Sequence, residues 1–80
     1  MMRIINLRII NGIIEFDYYV EDDKNDNGHV RYDMANKKLI ENKRNPSDEK
    51  YNTDYSALRA MQFAWRMLET GETERLFCFY

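Results

Sequence analysis

Apolar residues recur with two different periods along the 80-residue chain. From Asp54 to Gly71 the period is helical. At about 100° per residue, Ala57, Leu58, Met61, Ala64, Trp65 and Leu68 fall on one apolar arc. Arg59, Gln62, Arg66 and Glu69 fall on the opposite, solvated side. Thr53 or Asp54 can offer an N-cap oxygen, and Gly71 stands where a helix ends in a left-handed residue. Phe63 and Met67 project to the flank of the arc. A sheet edge or loop covers them in a purely structural reading; otherwise they form a contact surface for a partner.

Before this helix the pattern is strand-like. Residues 2–10 and 13–20 flank Asn11-Gly12, and both turn positions tolerate the positive φ of a type I′ hairpin. A two-residue loop sets Ile10 opposite Ile13, Ile9 opposite Ile14 and Arg8 opposite Glu15, an opposite-charge pair that supports the register. Unbroken alternation continues it to Ile5 opposite Tyr18 and Ile4 opposite Tyr19. The helix-side face is then Ile5, Leu7, Ile9, Ile14, Phe16 and Tyr18. The other face keeps Ile4, Ile10, Ile13 and Tyr19 among polar residues.

Glu21 to Gly28 is a polar loop. Val30 to Met34 reads as a third strand, with Val30, Tyr32 and Met34 inward, and Lys38 to Glu41 as a fourth. Asn36 is the expected left-handed residue of the turn between them. Asn42 to Asn52 is a charged connection broken by Pro46, with room for one helical turn at Ser47 to Lys50. After Gly71, Leu76, Cys78 and Tyr80 alternate with Phe77 and Phe79. Both sets are apolar, so this strand is expected to be covered on both faces, with Tyr80 docked. The order β-β-β-β-α-β predicts an α+β domain over residues 1–80: an antiparallel sheet of about five strands with one helix on one face. The last strand is expected beside the first, with a place beside the fourth as the alternative.

One helix covers one face, which leaves Ile4, Ile10, Ile13 and Tyr19 for a second layer. A homodimer is the simplest source of that layer. Eighty residues bury one modest core, which a dimer would reinforce. The formal net charge is −2, whereas a dedicated nucleic-acid binder is usually basic. Cys78 is the only cysteine, so no intrachain disulfide forms and a reducing cytoplasm is the expected compartment. The first residues are too short and too polar a run for a signal peptide or a membrane span.

Candidate chemistry is sparse. Asp23-Lys24-Asn25-Asp26-Asn27-Gly28 matches the first half of a calcium loop, in which short oxygen side chains alternate around a hard cation. The twelfth position, normally a bidentate Glu, is Met34, and the flanks read as strands. His29 and Cys78 are single, too few for a structural metal site, and Cys78 falls in an apolar strand. No phosphate loop, nucleophile elbow or zinc-protease motif occurs, so neither catalysis nor a cofactor is expected. Residues 15–28 carry six acids against Lys24 alone. Of these Glu15, Asp17, Asp22, Asp23 and Asp26 make a candidate acidic patch for a basic partner. Lys37, Lys38, Lys43 and Arg44 form a basic segment that could touch phosphates. The expectation is a non-enzymatic, cytoplasmic regulatory or inhibitory module of the kind carried by phages and mobile elements. It would bind another protein through Ile4, Ile10, Ile13, Tyr19, Phe63 and Met67, with nucleic-acid binding through the basic segment as the alternative.

Overall fold

The computed structural model describes residues 1–78. Five strands form one antiparallel sheet: β1 (Met2–Ile10), β2 (Ile13–Val20), β3 (Asn27–Asp33), β4 (Lys38–Lys43) and β5 (Arg75–Phe77). Their order across the sheet is β4-β3-β2-β1-β5. A short helix α1 (Pro46–Tyr51) leads into the long helix α2 (Tyr55–Thr70), which lies on one face. The α+β architecture expected from the sequence is present, and the last strand pairs with the first. The expected continuation through Phe79 and Tyr80 lies outside the described residues.

Near its turn the first hairpin has the expected register, with Ile10 opposite Ile13, Ile9 opposite Ile14 and Arg8 opposite Glu15. Asn11 and Gly12 both take positive φ there. Farther along, a β-bulge intervenes. Asn6 and Leu7 together oppose Phe16, so Ile5 pairs with Asp17 and Ile4 with Tyr18, one residue out of the unbroken alternation. Asn6 adopts φ 55°, a left-handed conformation that Asn tolerates better than most residues. The shift turns Ile4 inward, where it is 0% exposed, and turns Ile5 outward. Ile4 is therefore core, not a partner-facing residue of the outer face.

Met2, Ile4, Leu7, Ile14, Phe16 and Tyr18 supply the sheet side of the core, with Val30 beside them. The helix side consists of Ala57, Ala60, Phe63, Ala64 and Met67. The three alanines let the backbone of α2 approach the sheet closely. Phe63 stacks on Phe77 of β5, with centroids 4.2 Å apart and planes at 12°. Phe63 (5% exposed) and Met67 (0%) are thus the buried face of α2. This corrects their assignment to a partner surface. The helix is rotated relative to the expected arc, and Leu58 (59%) and Trp65 (43%) stand out into solvent instead.

The caps explain part of that rotation. Gly71 ends α2 at φ 75°, with its N–H donating to the Met67 carbonyl. At the other end Asp54 does not cap with its side chain, which Arg44 and Asn42 engage. Thr53, the other expected source, accepts from the Tyr55 N–H through Oγ1 at 3.2 Å, and a further cap comes from Asp48 of α1, whose carboxylate accepts from the Ser56 N–H and the Ser56 hydroxyl, both at 2.8 Å. Ser56, polar in the sequence pattern, is buried for this reason. In the β3–β4 turn the left-handed residue is Lys37, not Asn36. Asn36 is held by Asp33, which accepts from the backbone of Ala35 and Asn36 and from the Asn36 side chain.

Gly28 lies directly across from Tyr18, whose ring fills the space a Cβ would occupy. Gly28→Ala is expected to lower stability by about 1–3 kcal/mol in urea denaturation, because the ring has to move. Asn6→Val is expected to cost about 1–2 kcal/mol at its left-handed φ, and Asn6→Gly much less. Equal losses for Val and Gly would show that the bulge conformation is not what Asn6 contributes.

Candidate interaction surface

The middle of the sheet's outer face carries charged side chains that pair with one another. The Glu15 carboxylate accepts from Arg8 at 2.7 Å and lies 3.2 Å from His29 Nε2 and 3.7 Å from Arg31. Asp17 meets His29 Nδ1 at 2.5 Å and accepts from the Asn6 amide at 3.2 Å. Arg31 also reaches Glu41 at 3.7 Å. Register explains the grouping, since Arg8, Glu15, Arg31 and Glu41 lie in one cross-strand row and Asp17 and His29 in a neighbouring one. Nδ1 of His29 thus lies against Asp17 and Nε2 against Glu15. Cys78 is exposed just beyond β5. Among the described residues no group of three or more His, Cys, Asp or Glu is placed to hold a metal ion.

The remaining acids of the expected patch are also occupied. Asp22 forms a two-pronged pair with Arg3, at 2.6 and 3.2 Å, and that guanidinium holds its carboxyl below the usual range. Asp23 accepts from the Asn25 N–H within the loop. Asp26 turns away from the half calcium loop and binds the start of α1, accepting from the Ser47 N–H at 2.9 Å, the Ser47 hydroxyl at 2.6 Å and the Asn45 amide at 2.9 Å. Buried Asn45 in turn accepts from the Tyr18 hydroxyl at 3.2 Å. Burial raises the Tyr18 phenol, so it stays a donor. Each of Glu15, Asp17, Asp22, Asp23 and Asp26 therefore has a partner within the fold.

The basic segment divides. Arg44 is drawn onto Asp54 at 2.8 Å and Asn52 at 2.8 Å. Lys37, Lys38 and Lys43 are exposed and, among the described residues, form no ion pair. Of the outer-face apolar residues expected to meet a partner, Ile10 is 54% exposed at the hairpin end, while Ile13 and Tyr19 are half-buried. Tyr19 lines a shallow cleft of about 400 Å³ with Arg3, Ile5 and Asp22.

An exposed apolar stripe lies on the helix side. Leu58, Met61, Trp65 and Leu68 form a stripe along α2, with Met61 and Leu68 half-buried against the core. Trp65 meets Tyr32 edge-on, at 6.2 Å and 81°. Tyr32 belongs to a cross-strand row, Ile9–Ile14–Tyr32–Leu39, whose outer members Ile9 and Leu39 are exposed. The stripe and the row meet at the Trp65–Tyr32 contact. The sequence pattern contained these residues but placed them inside. The signal for reversing that lay in Ala57, Ala60 and Ala64, which allow a closer approach than Leu58 and Trp65. Comparison with protein-family models, curated proteins and solved structures finds no match, so function has to be argued from this geometry.

Two predictions follow from the side chains that tie the helices down. Asp48→Ala is expected to cost about 2 kcal/mol, because it strands the buried Ser56 N–H and hydroxyl, and Asp48→Asn less. Urea denaturation measures both, and equal costs would argue against the cap. For Asp26, burial alone would raise the carboxyl, but the hydrogen bonds from Ser47 and Asn45 outweigh it and hold the pKa below its ordinary value. The stabilisation is therefore complete above the unfolded aspartate value of about 3.9 and is lost as pH falls through the lower folded value. The Tm gap between wild type and Asp26→Asn should be open at neutral pH and shrink below about pH 4. A gap independent of pH would remove this role.

Proposed function

We propose that the protein is a small non-enzymatic interaction module that works in the cytoplasm by binding another polypeptide along the Leu58–Met61–Trp65–Leu68 stripe. The observation that carries this reading is the exposure of Leu58 and Trp65 on a helix whose other side is already fully used in the core. Exposed tryptophan and leucine at regular helical spacing make a contact stripe of the kind that helix-mediated recognition uses. The wide separation between this stripe and the charge-paired outer face gives the module one apolar contact side and one hydrated side. Nucleic-acid binding is less well supported, because Arg44 is withdrawn into contacts with Asp54 and Asn52 and the net charge is −2.

The stripe can be removed without touching the core. Leu58→Lys with Trp65→Lys should keep the circular dichroism spectrum and a cooperative melt. A polypeptide retained from source-cell lysate by immobilised wild type should be lost by this double variant. Binding is then confirmed with the purified polypeptide by a shift of Trp65 fluorescence. Retention equal in both proteins would move the contact surface elsewhere on the fold.

A further inference from the structure

The geometry points to a second copy of this chain as the occupant of the α2 stripe, in an antiparallel helix pair; this rests on the interaction-module reading and names its partner. The spacing of Leu58, Met61, Trp65 and Leu68 is three, four, three, the spacing of a coiled-coil seam. A two-fold interface must be self-complementary, with each residue's contact repeated in reverse. Reversing α2 about its centre places Leu58 against Leu68 of the second copy and Met61 against Trp65. Each layer then pairs leucine with leucine, or the bulky indole with the most adaptable apolar side chain.

The flank of the seam is complementary in the same register. Tyr55, Gln62 and Glu69 follow one another at seven-residue spacing beside it, all exposed. In the antiparallel pair Tyr55 faces Glu69 of the second copy, a hydroxyl donor against a carboxylate acceptor, and Gln62 faces Gln62 at the axis. A parallel pair would instead set Trp65 against Trp65 and Met61 against Met61, and would take Glu69 away from Tyr55. The cations of the helix lie away from the seam, since Arg59 and Arg66 both sit over the Phe63 ring on the β5 side, at 5.5 and 5.8 Å. Trp65 is already oriented by its edge-on contact with Tyr32, which reduces the ordering cost of association. Exposed Leu39, on the same sheet face as Tyr32, extends the apolar area past the helix. A 16-residue helix is about 24 Å long, so the interface falls at the small end of specific ones and the dimer should dissociate in the micromolar range.

Sedimentation equilibrium of the full chain from micromolar to millimolar concentration tests this. Wild type should approach twice its 9.7 kDa mass. Leu58→Lys with Trp65→Lys should weaken association about 100-fold or more while leaving the circular dichroism unchanged. Ile10→Asp with Ile13→Asp, on the other face, should leave it intact. In a Cys78→Ser background, oxidation should cross-link Gln62→Cys to itself but not Glu69→Cys to itself. A wild-type monomer throughout the range overturns the dimer, as does loss of association in the Ile10/Ile13 variant with retention in the Leu58/Trp65 variant. Self-cross-linking of Glu69→Cys overturns the antiparallel arrangement. A monomer that still captures a polypeptide through Leu58 and Trp65 sinks the dimer while the module reading stands; a dimer that captures nothing else supports it.

Discussion

The placement of every side chain in the first half of β1 depends on the extra residue at Asn6–Leu7. Beyond the bulge, toward the turn, the strand alternates as its hairpin partner dictates. Before it, the alternation is reversed, and Met2 and Ile4 rather than Arg3 and Ile5 face the helix. Without that reversal Arg3 and Ile5 would take the places of Met2 and Ile4 in the core. The same residue serves the outer face, because its amide bonds Asp17 next to His29. One left-handed asparagine thus separates an apolar side of the sheet from a charge-paired side.

Both helices begin on carboxylates that come from earlier in the chain. Asp26 receives the first turn of α1, and Asp48 of α1 receives the first turn of α2. The free N–H groups of a helix start are an electrostatic and hydrogen-bonding liability when buried. Here one N–H of each helix start, that of Ser47 and that of Ser56, is met by an anion on the preceding segment. The result is a chain of dependence from the β2–β3 loop through Asn45 and α1 to α2. It sets the position of α2 at its N-terminal end, as the Phe63–Phe77 stack sets it farther along.

What was legible in the sequence was local. Asn11-Gly12 specified the turn and the pairing of its neighbours, and Gly71 specified the end of the helix, because backbone sterics decide both. The fold class followed from the order of periods. The bulge was not legible from alternation alone, although Asn6 inside an isoleucine-rich run was its trace, and so was the unexplained apolar outer face that unbroken alternation produced. The rotation of α2 was harder to see, because two apolar stripes share the helix and propensity does not rank them. Packing ranked them: three alanines fit close to the sheet, Phe63 found Phe77, and Ser56 was drawn inward by Asp48. The expected contact residues Ile4, Phe63 and Met67 were lost to the core by these two effects. The acidic loop lost its independence to capping and pairing.

The open edge of the sheet has a further consequence. Among the described residues no strand pairs with the outer side of β4, and Lys38 and Lys43 stand at its two ends. Antiparallel addition of an identical β4 in full overlap would bring Lys38 against Lys43 at both ends of the new ladder. That repulsion disfavours growth of the sheet from one molecule to the next. In the proposed dimer, an apolar helix seam that closes on itself and a lysine-guarded strand edge would together select a finite assembly over an open-ended fibre.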